Sequence, residues 1–289
     1  MFKPTISLET FVHSPFGMDW RARGLLLFPV QLVLFKLMTG EPLNEMEYHI
    51  SIPSDPCDPK AGSKMFTEQG FHDYLVAEGR LHPSQGIPKH TVLFGGRRLG
   101  KTTLLIQKAL YDTTTALACA NFKAVWPDPN RVATFCMETS LPVEIGKLLN
   151  AEKDKLWLKS LETSATNSSW YFKRANPDVR EVRLQMAKNL HSGRGLSVHA
   201  LYTDELYWRP HPYTPNLQYP YLERSFVASS SMGSDEDRGL YLETKNDPDS
   251  LGICLHTWEV NPLISSDYYS KEKKNSTLDA YQAHSNLWS

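Results

Sequence analysis

Residues 95–102 read Gly-Gly-Arg-Arg-Leu-Gly-Lys-Thr, and no other feature of the 289-residue chain restricts its fold so tightly. The apolar run 91–94, Thr-Val-Leu-Phe, leads into them. A short apolar run that meets a glycine turn fits a buried strand of a parallel sheet covered by helices. From Gly100 onward the spacing of Leu104, Leu105, Ala109 and Leu110 predicts a helix with one apolar face. Glycines let the turn curl so that backbone N–H groups converge on phosphate oxygens. The helix that begins there adds its positive dipole end. Gly95, Gly96, Arg97, Arg98, Leu99, Gly100, Lys101 and Thr102, with Thr103 next, meet the spacing G-x-x-x-x-G-K-[ST] in full. In that pattern Lys101 places a point charge on the outer phosphates and the Thr102 hydroxyl can ligate Mg²⁺. The competing reading is a glycine turn capping an ordinary helix. A chance match in a chain of this length is on the order of one in a hundred.

A phosphate loop needs a metal anchor and a group that activates water. The stretch Ala-Leu-Tyr-Thr-Asp-Glu, 200–205, is an apolar strand ending in Asp204 and Glu205. Asp204 would hold Mg²⁺ through its water shell, and Glu205 would orient or deprotonate the attacking water. Two solvated charges at a strand end is the other reading of this pair. The lysine turn and the carboxylate doublet are expected to meet at one magnesium–triphosphate, and a glutamate placed to activate water favours a hydrolase over a kinase.

Further strands are expected at 131–139, 179–187, 198–203, 225–230 and 251–260, and helices after Pro29, over 65–79, from about Pro142, and over 265–287. The proline-rich 40–63 and the polar 164–169 are expected as loops. Strands alternating with helices in the first half predict an α/β fold with a largely parallel sheet and crossover helices. The expected organisation is a 1–85 segment packed on a core of 86–264, then a 265–289 helix or lid.

The formal net charge is −1, so the chain is not coated in basic residues for constitutive nucleic-acid binding. Four dispersed cysteines, Cys57, Cys119, Cys136 and Cys254, form no CxxC pair. Neither a zinc site nor a disulfide framework is expected, and a reduced cytosolic setting fits. The apolar stretch 24–37 contains Pro29, Gln31 and Lys36 and is shorter than the roughly 20 residues a membrane span needs. No apolar signal core follows the first residues.

Two arginines in the loop exceed what phosphate binding alone demands. Arginine can stabilise charge that develops on a transferred phosphoryl group. With Gly96-Arg97-Arg98-Leu99-Gly100-Lys101-Thr102 in view, the chain resembles the large terminase subunits of tailed bacteriophages, whose ATPase domain drives DNA into capsids. Other segments carry the same resemblance in the expected order. The stretch 25–43 is similar to the family's adenine-recognition segment, with Gln31 in the place of the base-contacting residue. The stretch 192–205 is similar to the Arg-Gly run that leads into the acidic pair. Ser229-Ser230-Ser231 stands where a coupling motif lies, although Met232 follows where the family usually has proline. Trp258, Glu259, Asn261 and Pro262 match a later segment.

The resemblance implies a P-loop NTPase of the ASCE/RecA-like kind, with ATP and Mg²⁺ as cofactors. It implies that Arg97 acts in cis, that Arg194 acts on a neighbouring subunit's nucleotide, and that Ser229, Ser230 and Ser231 relay nucleotide state. It further implies double-stranded DNA, a portal protein, a small terminase subunit and a homo-oligomeric ring as partners, with no membrane. The setting would be the host cytoplasm and, transiently, the procapsid portal. Full-length members carry a nuclease domain, and no late acidic cluster for two metals is present here. No nuclease activity is therefore expected, and that domain or a separate nuclease chain becomes a partner. For single residues the plainer readings stand beside these. Gln31 could be a helix-surface amide, one of Arg97 and Arg98 a surface charge, Arg194 the partner of a nearby acid, and 229–231 a polar strand end. A helicase-like nucleic-acid ATPase and a nucleotide-switched regulatory subunit are the alternative functions.

Overall fold

The computed structural model describes residues 8, 27–96, 98–115, 132–138, 162–165, 169–173, 181–187, 198–204, 222, 224–229 and 235–275. These fall into two compact units. One takes in the described residues of Leu27–Leu104 and Val227–Ser289, the other those of Met1–Leu26, Leu105–Asp204 and Thr214–Phe226. The fold is α/β, with a mostly parallel sheet flanked by helices.

The first helix with described bounds is α1, Pro29–Thr39. Proline suits its first turn, where an N–H has no helical partner. It buries Val30, Val33, Leu34, Phe35 and Met38. The strands β1, Ile50–Pro53, and β2, Ser63–Phe66, pair antiparallel, Ile50 facing Phe66. The stretch expected as a loop over 40–63 therefore contains a strand. Ile50 and Ile52 alternate inward, a period-two pattern that the surrounding prolines and aspartates obscure. Helix α2, Glu68–Ala77, starts three residues after the expected 65. Thr67 caps it by accepting from Gly70 N at 2.9 Å, and Met65 and Phe66 belong to β2. Lys36 of α1 donates to both carboxylate oxygens of Glu68, at 2.9 and 2.7 Å, which ties the two helices together.

In the same unit, β3 is Leu81–His82, β4 is His90–Gly95, and α3, Lys101–Thr115, begins here. Strand β4 is buried from Thr91 to Gly95, as the apolar run requires. Its partner is β11, Ser250–Leu255, which runs parallel to it with Leu251 opposite Thr91 and Leu255 opposite Gly95. Strand β3 pairs antiparallel with the other edge of β11. Helix α4, Asp235–Glu243, lies on this ladder, and Tyr241 packs with Val92, Phe94 and Cys254. The strand expected over 251–260 ends at Leu255. Residues Thr257–Val260 form a helical turn, α5, because Glu259 accepts the His256 N–H at 2.8 Å and caps it. The last described helix, α6, is Ser266–Asn275.

In the other unit the strand order is β9-β5-β8-β7-β6. Strands β5 (Val132–Glu138), β8 (Glu181–Ala187) and β9 (Val198–Asp204) are parallel, with β5 in the middle. Strands β6 (Glu162–Ala165) and β7 (Ser169–Lys173) pair antiparallel at one side. The expected polar loop over 164–169 thus has strand at both ends. Backbone pairing, with Ala165 opposite Trp170 and Trp170 opposite Leu184, decides the state of these ends despite the polar composition. Strand β10 is Arg224–Ser229, with residues 224–226 in this unit and 227–229 in the first. The helix expected from Pro142 lies outside the described residues. Cys57, Cys136 and Cys254 form no disulfide among the described residues, and Cys119 lies outside the described residues. Among the described residues no helix is long and apolar enough to cross a membrane.

A buried charge pair holds α3 to β9. Lys108 and Asp112, one turn apart and 4% and 1% exposed, form an ion pair, and the Tyr202 hydroxyl donates to Asp112 Oδ2 at 2.8 Å. Burial pulls the Lys108 ammonium down from its ordinary range, and the Asp112 charge opposes that pull. Removing one partner strands a buried charge, whereas removing both charges does not. Lys108→Met is expected to cost about 3–5 kcal/mol in denaturant unfolding. Adding Asp112→Asn, which still accepts from Tyr202, should return most of that loss; a double variant no better than the single one would refute the pairing.

Candidate functional site

The site is built on the turn between β4 and α3. Because β4 is buried, its last residues deliver Gly95 to the end of the strand with no freedom to slide. Leu99, fully buried, anchors the turn from inside. A side chain at position 95 would meet Leu99 Cδ1 at 2.6 Å, so glycine there is what lets Leu99 pack. Arg98 and Gly100 both take left-handed backbone angles, φ 65° and 86°. At Gly100 a Cβ would also collide with the Gln31 amide nitrogen. Helix α3 then starts, with Leu104 N donating to the Gly100 carbonyl at 3.0 Å.

The turn's carbonyl groups are held by donors from within the protein. Lys101, 5% exposed, donates to the carbonyls of Gly95 and Gly96 at 3.1 and 3.2 Å. The Arg98 carbonyl accepts from Asn261 Nδ2 at 2.8 Å. The Leu99 carbonyl accepts from Gln31 Nε2 at 2.8 Å. In a trans peptide unit the C=O and the following N–H point in opposite directions. Tying back the carbonyls of 98 and 99 therefore turns the N–H groups of Leu99 and Gly100 away from those donors. N–H groups turned away from the protein donors, beside a lysine and a helix N-terminus, suit a phosphate.

Gln31 is buried rather than at the helix surface. It is 2% exposed, and its Oε1 accepts from Phe28 N at 2.9 Å while its Nε2 holds Leu99. Arg98 is exposed and its guanidinium lies 4.9 Å over the Tyr268 ring. Arg97 lies outside the described residues. Thr102 and Thr103 are half-buried in the first turn of α3.

In the second unit, Asp204 ends β9, a strand buried along all seven residues, and is 3% exposed. Strand ends at the carboxyl edge of parallel sheets are where such folds place their ligands. The same edge carries Glu138 at the end of β5, fully buried and opposite Thr203, whose hydroxyl is 3.5 Å from the carboxylate. Glu138 was not singled out from sequence, although the rule that picks out Asp204 would have found it at the end of the 131–139 strand. Glu205 and Arg194 lie outside the described residues. In the first unit, Ser229 ends β10 and is fully buried, and Ser230 and Ser231 lie outside the described residues. Among the described residues no three His, Cys, Asp or Glu side chains cluster as a ready-made metal site.

Beside the loop, Leu255 at the end of β11 accepts from Gly96 N at 3.3 Å. The next residue, His256, stacks on Trp258 with ring centroids 4.6 Å apart. The neighbouring Arg80 makes a two-pronged ion pair with Glu259. No family model, no curated protein and no solved structure matches this chain.

Burial pushes the His256 imidazole down to about 4; the Glu259 carboxylate opposes this and the Arg80 charge adds to it. Near pH 7 the imidazole is neutral both folded and unfolded. Below about pH 6.5 the unfolded chain takes a proton that the folded chain refuses until about pH 4. Stability should fall across that window, by up to roughly 3 kcal/mol from this group. In thermal melts between pH 7 and pH 4, His256→Gln should lose less stability than the wild-type chain, and identical pH profiles would show that the group does not titrate as described.

Proposed function

We propose that the chain is an Mg²⁺-dependent ATPase of the P-loop NTPase class, with an ASCE/RecA-like core, and that it acts as the motor of a viral terminase moving double-stranded DNA into procapsids. One observation carries the ATPase part: a buried lysine and two distant side-chain amides hold the carbonyls of Gly95, Gly96, Arg98 and Leu99 by protein donors, which turns the N–H groups of Leu99 and Gly100 the other way. The residues present fit a polyphosphate by the chemistry of that donor set. The packaging part rests on the resemblance of segments 25–43, 96–102, 192–205 and 257–269 to the terminase family.

Bound at this turn with Mg²⁺, ATP would supply the phosphoanhydride to be cleaved and the metal charge that offsets its oxygens. Lys101 would donate to the outer phosphates, helped by the N–H groups of the turn. Thr102 and Asp204 would be the protein's oxygen ligands to the metal. Glu205 would take the proton from the attacking water. Arg97 would stabilise developing charge in cis, and Arg194 would do so for a neighbouring subunit's nucleotide in a ring. Ser229, Ser230 and Ser231 would report nucleotide state to a DNA-gripping surface. Portal protein, small terminase subunit and a nuclease domain or chain complete the proposed assembly.

ATP hydrolysis should be measured with Mg²⁺, alone and with portal-bearing procapsids and linear double-stranded DNA. Procapsids with DNA should stimulate turnover, and single-stranded DNA should not. Lys101→Ala should lose nucleotide binding. Glu205→Ala should keep binding and drop turnover by about 10²-fold or more. Equal slow hydrolysis by wild type and Glu205→Ala would remove the enzyme reading in favour of a nucleotide-switched subunit.

A further inference from the structure

The loop that carries the proposed ATP site is gripped from the far end of the chain. Asn261 stands just after α5, its N–H closing that turn on Thr257 O at 2.9 Å. Its Oδ1 accepts from Leu263 N at 3.0 Å, a local turn that fixes which way the amide faces. The opposite atom, Nδ2, is thereby aimed at the Arg98 carbonyl, 2.8 Å away. The same residue, Arg98, is engaged a second time, through its guanidinium over the Tyr268 ring of α6 at 4.9 Å. So the segment 261–268 holds both the backbone and the side chain of one residue in the turn.

Arg98 is also where the turn is conformationally expensive. Its left-handed backbone, φ 65°, is an uncommon state for a residue with a long side chain. Such a state persists where the surroundings over-determine it. The two contacts from 261–268 supply that determination. The peptide plane between Arg98 and Leu99 decides where the Leu99 N–H points, and Asn261 holds the oxygen end of that plane.

We propose that Asn261 is a positioning residue for polyphosphate binding: by holding the Arg98 carbonyl it keeps the Leu99 N–H turned to the phosphate, with the Arg98–Tyr268 stack keeping Arg98 in place. Asn261 touches no phosphate itself. The inference rests on the ATP-site reading and adds to it a residue more than 160 positions away from the loop in sequence.

Two variants separate the donor from the turn it sits in. Asn261→Asp keeps an acceptor for Leu263 N and nearly the same shape but puts an oxygen against the Arg98 carbonyl. Asn261→Ala removes both contacts and adds no charge. Mg·ADP binding to the full chain would be measured by calorimetry, with the phosphorus NMR shift of the bound β-phosphate and the melting temperature alongside. Both variants should weaken Mg·ADP by about tenfold, the worth of one hydrogen bond, and move the β-phosphate shift toward that of free ADP. The melting temperature should stay within a few degrees of wild type. A change in folding alone would lower the melting temperature and leave the bound β-phosphate shift where it is. Wild-type affinity and shift in both variants would overturn the positioning role while leaving the ATP site standing. A wild-type chain that binds no Mg·ADP would overturn both.

Discussion

Every peptide oxygen in a tight turn must find a donor or face water, and those of residues 95, 96, 98, 99 and 100 find donors inside the protein. Lys101 takes two of them, Gln31 one, Asn261 one, and the Leu104 N–H the one that starts α3. The donors come from α1, from the end of α5 and from α3, so the loop's shape depends on three elements far apart in the chain. That dependence explains why the segment before β4 and the segment after β11 belong to the site's unit rather than decorating it. It also explains the glycines. Leu99 must pack inward past position 95, and the Gln31 amide must come up against position 100, so neither position has room for a side chain.

The rest of that unit is arranged to keep those donors in place. The Lys36–Glu68 pair fixes α1, and with it Gln31. The cap that Glu259 places on His256 ends β11 and sets the short helix from which Asn261 emerges. Arg80 on Glu259 holds the carboxylate that forms the cap. The second unit solves a different problem, that of ending a fully buried strand in an acid. Asp204 and Glu138 lie on neighbouring strand ends, and the network of Lys108, Asp112 and Tyr202 fastens α3 to the strand that carries Asp204. Of the two loop arginines, Arg98 is engaged with the Tyr268 ring through its guanidinium and with Asn261 through its carbonyl.

Much of this was legible in the residues. The burial of β4 followed from four apolar residues before a glycine, and α3 followed from its helical spacing. The strands ending at Glu138, Ala187, Asp204 and Ser229 were also close to where pattern placed them. What pattern missed has a common cause. Strand β1 and the ends of β6 and β7 are made of polar or proline-flanked residues whose state is decided by pairing with a distant strand, which no local window contains. The helical turn at 257–260 was read as strand because His-Thr-Trp-Glu-Val is β-prone in composition. It is helical because a carboxylate three residues on caps its first N–H. In the site, the lysine and the glycines were visible from spacing. The grip of Asn261 and the inward turn of Gln31 were not, because a hydrogen bond between residues 163 positions apart leaves no periodic trace.

The central claim is that the N–H groups from Leu99 to Lys101 face a polyphosphate. Amide hydrogen exchange of the segment 96–104, with and without a non-hydrolysable ATP analogue and Mg²⁺, tests it at those atoms. The account predicts that exchange at Leu99, Gly100 and Lys101 slows markedly on binding while the interior of β4 is unchanged. Exchange at those three amides that is identical with and without saturating analogue would contradict it.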